Sequence, residues 1–321
     1  MGENNVKEIK CESVKDFIQK ISYGGELYNL IDSRYIYRGE SSDKYKLIPS
    51  ALREQNHEAL VDLVKISTPE YKYINENSES FQIAAEYINL YLFYMYSDYR
   101  GLHVPNIDDF RNKLIGTVDL DNILYKKLTW LPSEYIELAG LAQHYGVYTR
   151  LLDWSRNINV ALYFAVSGLM KIEESEKPEN ITLWVLDTTI LNAADKDRPG
   201  IIIYTPEYAG NPNLCAQKGV FLLNSINNGY KRTIANDFDV ADKKTKPFDE
   251  IIKEQINSGN EEPILYKILI PTPQDDELNK YIFTEDYDAS LIFPGYEGAA
   301  KTIKENIYWK NKKLKSELKD K

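Results

Sequence analysis

Histidine, cysteine and glycine-rich phosphate loops are what this sequence has least of. Its three histidines, His57, His103 and His144, lie in separate regions. A three-histidine metal site would need to gather all of them, so no metal is expected. Two cysteines, Cys11 and Cys215, stand far apart without metal-ligand spacing; this argues for a reducing compartment and against a disulfide framework. There is no Gly-x-Gly-x-x-Gly, no Walker-type loop and no Gly-x-Ser-x-Gly elbow, which removes the standard phosphate cradles and the hydrolase nucleophile turn. No apolar run reaches the length of a membrane span. The start, Met-Gly-Glu-Asn-Asn-Val-Lys-Glu, lacks the apolar region of a signal peptide. The expectation is a soluble cytoplasmic protein with no membrane partner. Lysine and arginine (39) are outnumbered by aspartate and glutamate (49), for a net charge of −10. Broad nucleic-acid binding is disfavoured, because phosphate contacts need a basic face, although a local basic patch stays open.

What is there is ample for a folded core: 321 residues, 43% hydrophobic and 12% aromatic. Chemically able residues crowd into one stretch, 141–166, which holds Gln143, His144, Tyr145, Arg150, Asp153 and Trp154. Residues 134–145 carry Tyr135, Leu138, Leu141, Ala142 and Tyr145 at helical spacing, and Gly146 stops that helix. Residues 149–154 read as a short strand. Ser155 or Asn157 caps a second helix with Val160, Ala161, Phe164 and Ala165 on its apolar face. The polar residues thus fall at helix–strand junctions, where rigid elements hold loop residues in place.

Elsewhere, residues 8–22 read as an amphipathic helix ended by Gly24-Gly25, and Tyr35–Glu40 as a strand. Residues 45–53 are a loop, and helices follow over 55–66 and 78–99, the latter with a tyrosine stripe that suits packing better than base stacking. A short helix is expected near 121–129. Strands are expected over 181–187, 201–205, 216–223 and 264–270. Segment 230–260 is polar and partly helical, and helices are expected near 273–281 and 299–309. The fold class is α+β: one mixed or split sheet region with a large helical insertion between its first and second strands. The organisation is an N-terminal helical lead-in (1–30), a domain (31–305) with its insertion at about 50–140, and a lysine-rich C-terminal tail (306–321), expected to fray.

Several motifs in this order carry a resemblance. Tyr37-Arg38-Gly39-Glu40, the run from Ala142 through Gln-His-Tyr-Gly-Val-Tyr-Thr-Arg-Leu-Leu-Asp-Trp to Ser155, Ala161-Leu-Tyr-Phe-Ala165, Ala216-Gln-Lys-Gly-Val-Phe221 and Leu291-Ile-Phe-Pro-Gly-Tyr-Glu-Gly298 together resemble the FRG domain family, named for its Phe/Tyr-Arg-Gly motif. The likeness spans roughly residues 30 to 305. Tyr148 stands where the family usually has proline, Ser155 where it has threonine, and Gly295-Tyr-Glu-Gly298 where it often has Asp-Leu-Asp-Gly. A more distant similarity is to ADP-ribosyltransferases of the toxin type. Their first-strand arginine holds the NAD phosphates, their second motif pairs a Ser/Thr strand with an Ala-Leu-x-Phe-Ala helix, and a later strand carries a catalytic glutamate. Arg38, the segment 149–165 and the segment 216–223 are similar to these in turn, but Gln217 or Gly219 stands near the glutamate's place. A neutral amide supplies no charge to an oxocarbenium-like transition state. Another acid, Asp153 or Glu40, takes that place, or the domain binds a nucleotide without transferring it.

The resemblance implies a sheet like the ADP-ribosyltransferase core, with NAD as substrate. Its implied catalytic residues are His144, Asp153 and Gln217; its nucleotide-binding residues are Arg38, Gly39, Glu40, Gln143, Tyr145, Arg150 and Trp154. Each also has a plainer reading. Arg38 is an anion clamp, since guanidinium bonds phosphate in a fork and glycine allows close approach, or an exposed cation at a strand end. His144 is a general acid/base or bonds a ribose hydroxyl, or it caps a turn. Asp153 serves the site or pairs with Arg150 or Arg38. Trp154 stacks a base or packs beneath the site. Gln217, with four hydrogen-bonding positions, suits amide or base recognition. Two functions from different classes follow: a transferase or glycohydrolase acting on NAD, as a toxin or antiviral effector, and a non-catalytic sensor of a nucleotide or nucleic-acid end that signals through a protein partner.

Overall fold

The computed structural model describes residues 5–69, 75–112, 118, 120, 123, 129–189, 200–227, 245–255, 263–274 and 276–319. In chain order the elements are β1 (Val6–Lys10), α1 (Val14–Ile21), β2 (Tyr35–Glu40), α2 (His57–Ser67), α3 (Glu79–Tyr99), α4 (Asp108–Arg111), β3 (Thr129–Trp130), α5 (Ser133–His144), β4 (Leu152–Ser155) and α6 (Ile158–Gly168). There follow β5 (Asn180–Asp187), β6 (Gly200–Tyr204), α7 (Pro212–Ala216), β7 (Gly219–Asn227), α8 (Phe248–Gln255), β8 (Leu265–Pro271), α9 (Glu277–Thr284), α10 (Ala289–Ile292) and α11 (Tyr296–Lys319). The short helix expected near 121–129 lies almost wholly outside the described residues.

Eight described strands form one mixed sheet in the order β1-β8-β5-β2-β4-β7-β3, with β6 beside β7. Only β1 and β8 run parallel among these pairs; the others are antiparallel. All six strands expected from the sequence belong to it. Strand periodicity sorts their side chains between the two faces. Leu183 and Val185 of β5 join Tyr35, Tyr37, α1, α6 and α9 in one core, while Trp184 and Leu186 join Ile36, Leu152, Trp154 and α8 in another. A third core lies in the helical insertion, where Phe81, Tyr87, Ile88, Tyr94, Phe110 and Trp130 pack with Phe221 and Leu223 of β7. Tyr87, Tyr91 and Tyr94 are buried there, whereas Tyr96 and Tyr99 are exposed, so the tyrosine stripe is packing.

Several boundaries differ from the sequence reading, among them the start of β4 at Leu152 and of α9 at Glu277. Residues 8–22 are not one helix: Val6–Lys10 is an edge strand, and the helix starts at Val14 behind Ser13, whose side chain accepts from Asp16 N. Residues 216–218 are not strand: α7 ends at Ala216, Lys218 takes a left-handed φ of 45°, and β7 starts at Gly219. The lysine-rich tail continues α11 as helix to Lys319. Among the described residues no helix is long and apolar enough to cross a membrane.

One feature of the sheet positions the site. Strands β2 and β4 pair at a single register, Tyr37 with Ser155. Beyond it β2 continues beside β5 as far as Glu40, and β4 continues beside β7 back to Leu152. The two strands therefore diverge, and the sheet splits between Arg38–Glu40 on one side and Leu152–Trp154 on the other.

Candidate functional site

A cleft of about 400 Å3 occupies the split, within the roughly 300–1,000 Å3 typical of ligand pockets. Arg38, Glu40, Gln143, His144, Asp153 and Gln217 all line it, although they come from four separate parts of the chain. Helix α5 delivers Gln143 and His144 at its last turn. Tyr145 N bonds back to Ala142 O, and Gly146 turns the chain at φ 87°, a conformation that costs glycine little. Asn157 caps α6, accepting from Asn159 N and Val160 N, and Ser155 Oγ accepts from Asn157 N. The strand between those helices is thereby fixed at both ends.

Arg38 bridges the split. Its Nε donates to Glu40 Oε1 at 2.7 Å and its Nη1 to the Asp153 carbonyl at 2.6 Å. The Arg38 and Glu40 side chains are only 15% and 13% exposed, so the pair is largely enclosed, not a free cation at a strand end. Asp153 faces the cleft, where Gln143 Nε2 donates to its Oδ1 at 2.5 Å. Thr149 Oγ1 in turn donates to Gln143 Oε1, which fixes the amide's orientation. Asp153 is open to the cleft's solvent, yet protein crowds it on every other side. That burial pushes its carboxyl above the ordinary aspartate range, opposed by the Arg38 charge and the Gln143 hydrogen bond.

Asn213 Nδ2 lies 2.6 Å from His144 Nε2. An amide nitrogen only donates, so this contact uses Nε2 as the acceptor. Gln217 donates from Nε2 to Ile292 O at 3.3 Å, and its own carbonyl accepts from Ser155 Oγ at 2.7 Å. It caps the end of α7, so of the two positions near the expected strand-borne glutamate, Gln217 lies at a helix end and Gly219 opens β7.

Of four further expected site residues, Arg150 and Tyr145 lie outside the cleft lining, while Trp154 and Gly39 line it and also serve the packing around it. Arg150 does not reach the cleft or Asp153. It is buried and paired with Glu86 (Nε to Oε2, 3.0 Å) and Glu79 (Nη2 to Oε1, 2.7 Å) of α3. Tyr145 points outward, 71% exposed, and stacks on Phe93. Trp154 contributes to the cleft wall, but its indole is buried in the core beneath the sheet. Gly39 is required by packing: a Cβ there would stand 1.8 Å from the Ala161 carbonyl of α6. The glycine lets a helix approach the strand, and it also lines the cleft.

Two features escaped the sequence reading. Arg53 follows the Pro49 turn, donates from Nε to Ile48 O at 2.9 Å, and lies near enough to Arg38, Glu40 and Asp153 to feel their charges; burial first, and then Arg38, hold its basicity below that of a free guanidinium. The aromatic wall of Phe164, Phe221 and Phe293 was also unmarked as site. No local signal marks Arg53; the three phenylalanines lie within the motifs of the family resemblance, where they read as packing positions. Among the described residues no group of His, Cys, Asp and Glu is placed to hold a metal ion.

The geometry defines a mixed α/β protein with a polar cleft at a split in its sheet. Residues 102–174 match the family model of the FRG domain, and the chain carries that domain there. The match covers less than a quarter of the chain and takes in Gln143, His144, Arg150, Asp153 and Trp154, while Arg38, Glu40 and Gln217 lie outside it. No curated protein and no solved structure matches the chain.

Proposed function

We propose that the cleft binds NAD or a related nucleotide, with a phosphate group against Arg38. The observation that carries this reading is the guanidinium in the split. Nε and Nη1 are held by Glu40 and the Asp153 carbonyl, while Nη2 has no hydrogen-bond partner among the described residues. It is therefore oriented with donors to spare, which is the arrangement a phosphate oxygen uses. Arg53 adds a second cation nearby, and Glu40 and Asp153 offset both. The ligand phosphate competes with the Asp153 charge, so binding strengthens when that carboxyl is protonated.

In the enzymatic form of this proposal, ADP-ribosyl transfer or NAD hydrolysis by a toxin-like or antiviral effector, Asp153 stands where a carboxylate faces the oxocarbenium-like ribose. A carboxylate can stabilise that cation only when ionised. The engagement of Glu40 by Arg38 and of Asp153 by Gln143 favours the second form: a nucleotide sensor that binds without turnover and signals to a protein partner. Incubation with NAD separates them. Release of nicotinamide with ADP-ribose, or transfer of ADP-ribose to protein, supports the enzyme. Stabilisation by NAD without product, and none by nicotinamide riboside, which lacks phosphate, supports the sensor. No response to any phosphate-bearing nucleotide refutes both.

A further inference from the structure

We propose that Phe164, Phe293 and Gln217 form a ring-binding corner in this cleft, seating a flat heteroaromatic ring that bears an exocyclic N–H donor: the base or carboxamide ring of a single nucleotide unit. The inference rests on the nucleotide reading of the cleft.

Phe164 is 36% exposed on a helix whose neighbouring residues Val160, Ala161 and Ala165 are at 0–2%. An open aromatic face on an otherwise buried helix forgoes the stabilisation its burial would give, and a ligand ring laid on it recovers that. Phe293 meets it at a right angle, with ring centroids 6.2 Å apart and planes at 84°. The two rings thus make a corner, and a planar ligand can stack on one while meeting the other edge-on. Phe293 is held in place by its neighbours. The Lys301 ammonium lies 3.9 Å from its ring centroid, and the Tyr163 ring crosses it at 65°. The backbone is tied as well, with Phe293 N donating to Ala289 O at 2.9 Å before Gly295 turns the chain at φ 123° into α11. This assigns a use to the Phe293-Pro294-Gly295 motif.

Gln217 supplies the polar component. Because its Nε2 donates to Ile292 O, its Oε1 is left as an acceptor without a partner among the described residues, beside Phe293 in the same cleft. An acceptor at an aromatic corner selects a ring carrying an N–H donor, such as adenine or nicotinamide. The cleft's 400 Å3 is near the small end of ligand pockets, which suits one nucleotide unit, with the rest of any dinucleotide outside.

The test is calorimetric titration of the full chain with AMP, nicotinamide mononucleotide and ribose 5-phosphate. The better of the two mononucleotides should bind wild type about tenfold tighter than the ringless sugar phosphate. Phe293→Leu, which keeps apolar volume but loses the π face, and Phe164→Ala should each bring that ratio toward one and leave ribose 5-phosphate binding unchanged. Gln217→Leu should remove the preference for the preferred mononucleotide over its deaminated counterpart, IMP or nicotinic acid mononucleotide. Variants that bind sugar phosphate and keep the wild-type ratio overturn the corner alone. Failure of wild type to bind all three ligands removes the nucleotide reading, and the corner with it.

Discussion

Two neighbouring residues show how differently adjacent motif positions work. Arg38 faces the cleft and Gly39 faces helix α6, so substitutions there should fail in different ways. Gly39→Ala forces a methyl group into the Ala161 carbonyl. The cost should be on the order of 3 kcal/mol, the upper range for overpacking, read as a large fall in melting temperature whether or not ligand is present. Asp153 makes a pH-dependent prediction. Its folded-state pKa is raised by burial, so between the ordinary aspartate value and that raised value the folded protein holds more protons than the unfolded chain. Stability contributed by this site is therefore lost as pH rises through that window. Asp153→Asn removes the titration and keeps an acceptor for Gln143. Above the raised range the variant should melt higher than wild type, with the gain shrinking as pH falls through that range toward the ordinary aspartate value. A difference that is independent of pH would contradict this.

At the scale of elements, the frame around β4 is held by a buried polar network. Glu86 on α3 accepts from Arg150 Nε, from Trp130 Nε1 at 2.6 Å and from Gln82 Nε2 at 2.7 Å, and Gln82 also donates to Ala51 O. One carboxylate thus ties α3, β3 and the chain entering β4. Removing one partner of a buried ion pair costs roughly 3–5 kcal/mol, because the other is left charged and unpaired. Arg150→Met should unfold the protein in markedly less denaturant, and Arg150→Met combined with Glu86→Gln should recover part of the loss; a double variant no more stable than the single one would contradict the pairing. This network was not legible in the sequence, since Arg150 and Glu86 lie 64 positions apart and Asp153 was the nearer acid. By contrast, α5 and α6 were legible almost residue by residue, because Gly146 and Asn157 punctuate them locally, whereas β4 was placed correctly but starts at Leu152, three residues later than expected. Strand β1 was missed for a physical reason. It is an edge strand with charged outward residues, as edges commonly are, and its partner β8 is distant in sequence.

For the molecule as a whole, membership of the strands in one sheet and the meeting of Arg38, His144, Asp153 and Gln217 were readable, because the motif residues lie on or beside β2, β4 and β7, which pair as neighbours. The split between β2 and β4 was expected only as part of a class of fold; its location depends on how each strand finds its other neighbour. Which residues face the cleft also depended on that pairing, so Arg150 and Tyr145 were placed in the site and Arg53, Phe164 and Phe293 were not. The acidic balance of the chain sets a further expectation for the proposed ligand. Anion affinity should rise as pH falls through the raised Asp153 range, since protonation leaves Arg38 and Arg53 opposed by Glu40 alone. Titration of ADP-ribose across that range, beside Asp153→Asn in which the slope should flatten, checks it.

The central claim is that Arg38 holds a phosphate, and calorimetric titration of NAD and ADP-ribose into wild type, Arg38→Lys and Arg38→Ala addresses it most directly. The Arg38–Glu40 pair is largely enclosed, so both substitutions should cost some stability, and affinity is the quantity to compare. A charge-assisted hydrogen bond contributes roughly 1.5–3 kcal/mol, which is about one to two orders of magnitude in affinity. The account predicts measurable binding by wild type, at least about tenfold weaker binding by Arg38→Lys, whose ammonium keeps the charge without the fork, and none detectable in folded Arg38→Ala. Equal affinities in the three proteins, or no binding by wild type, would contradict it.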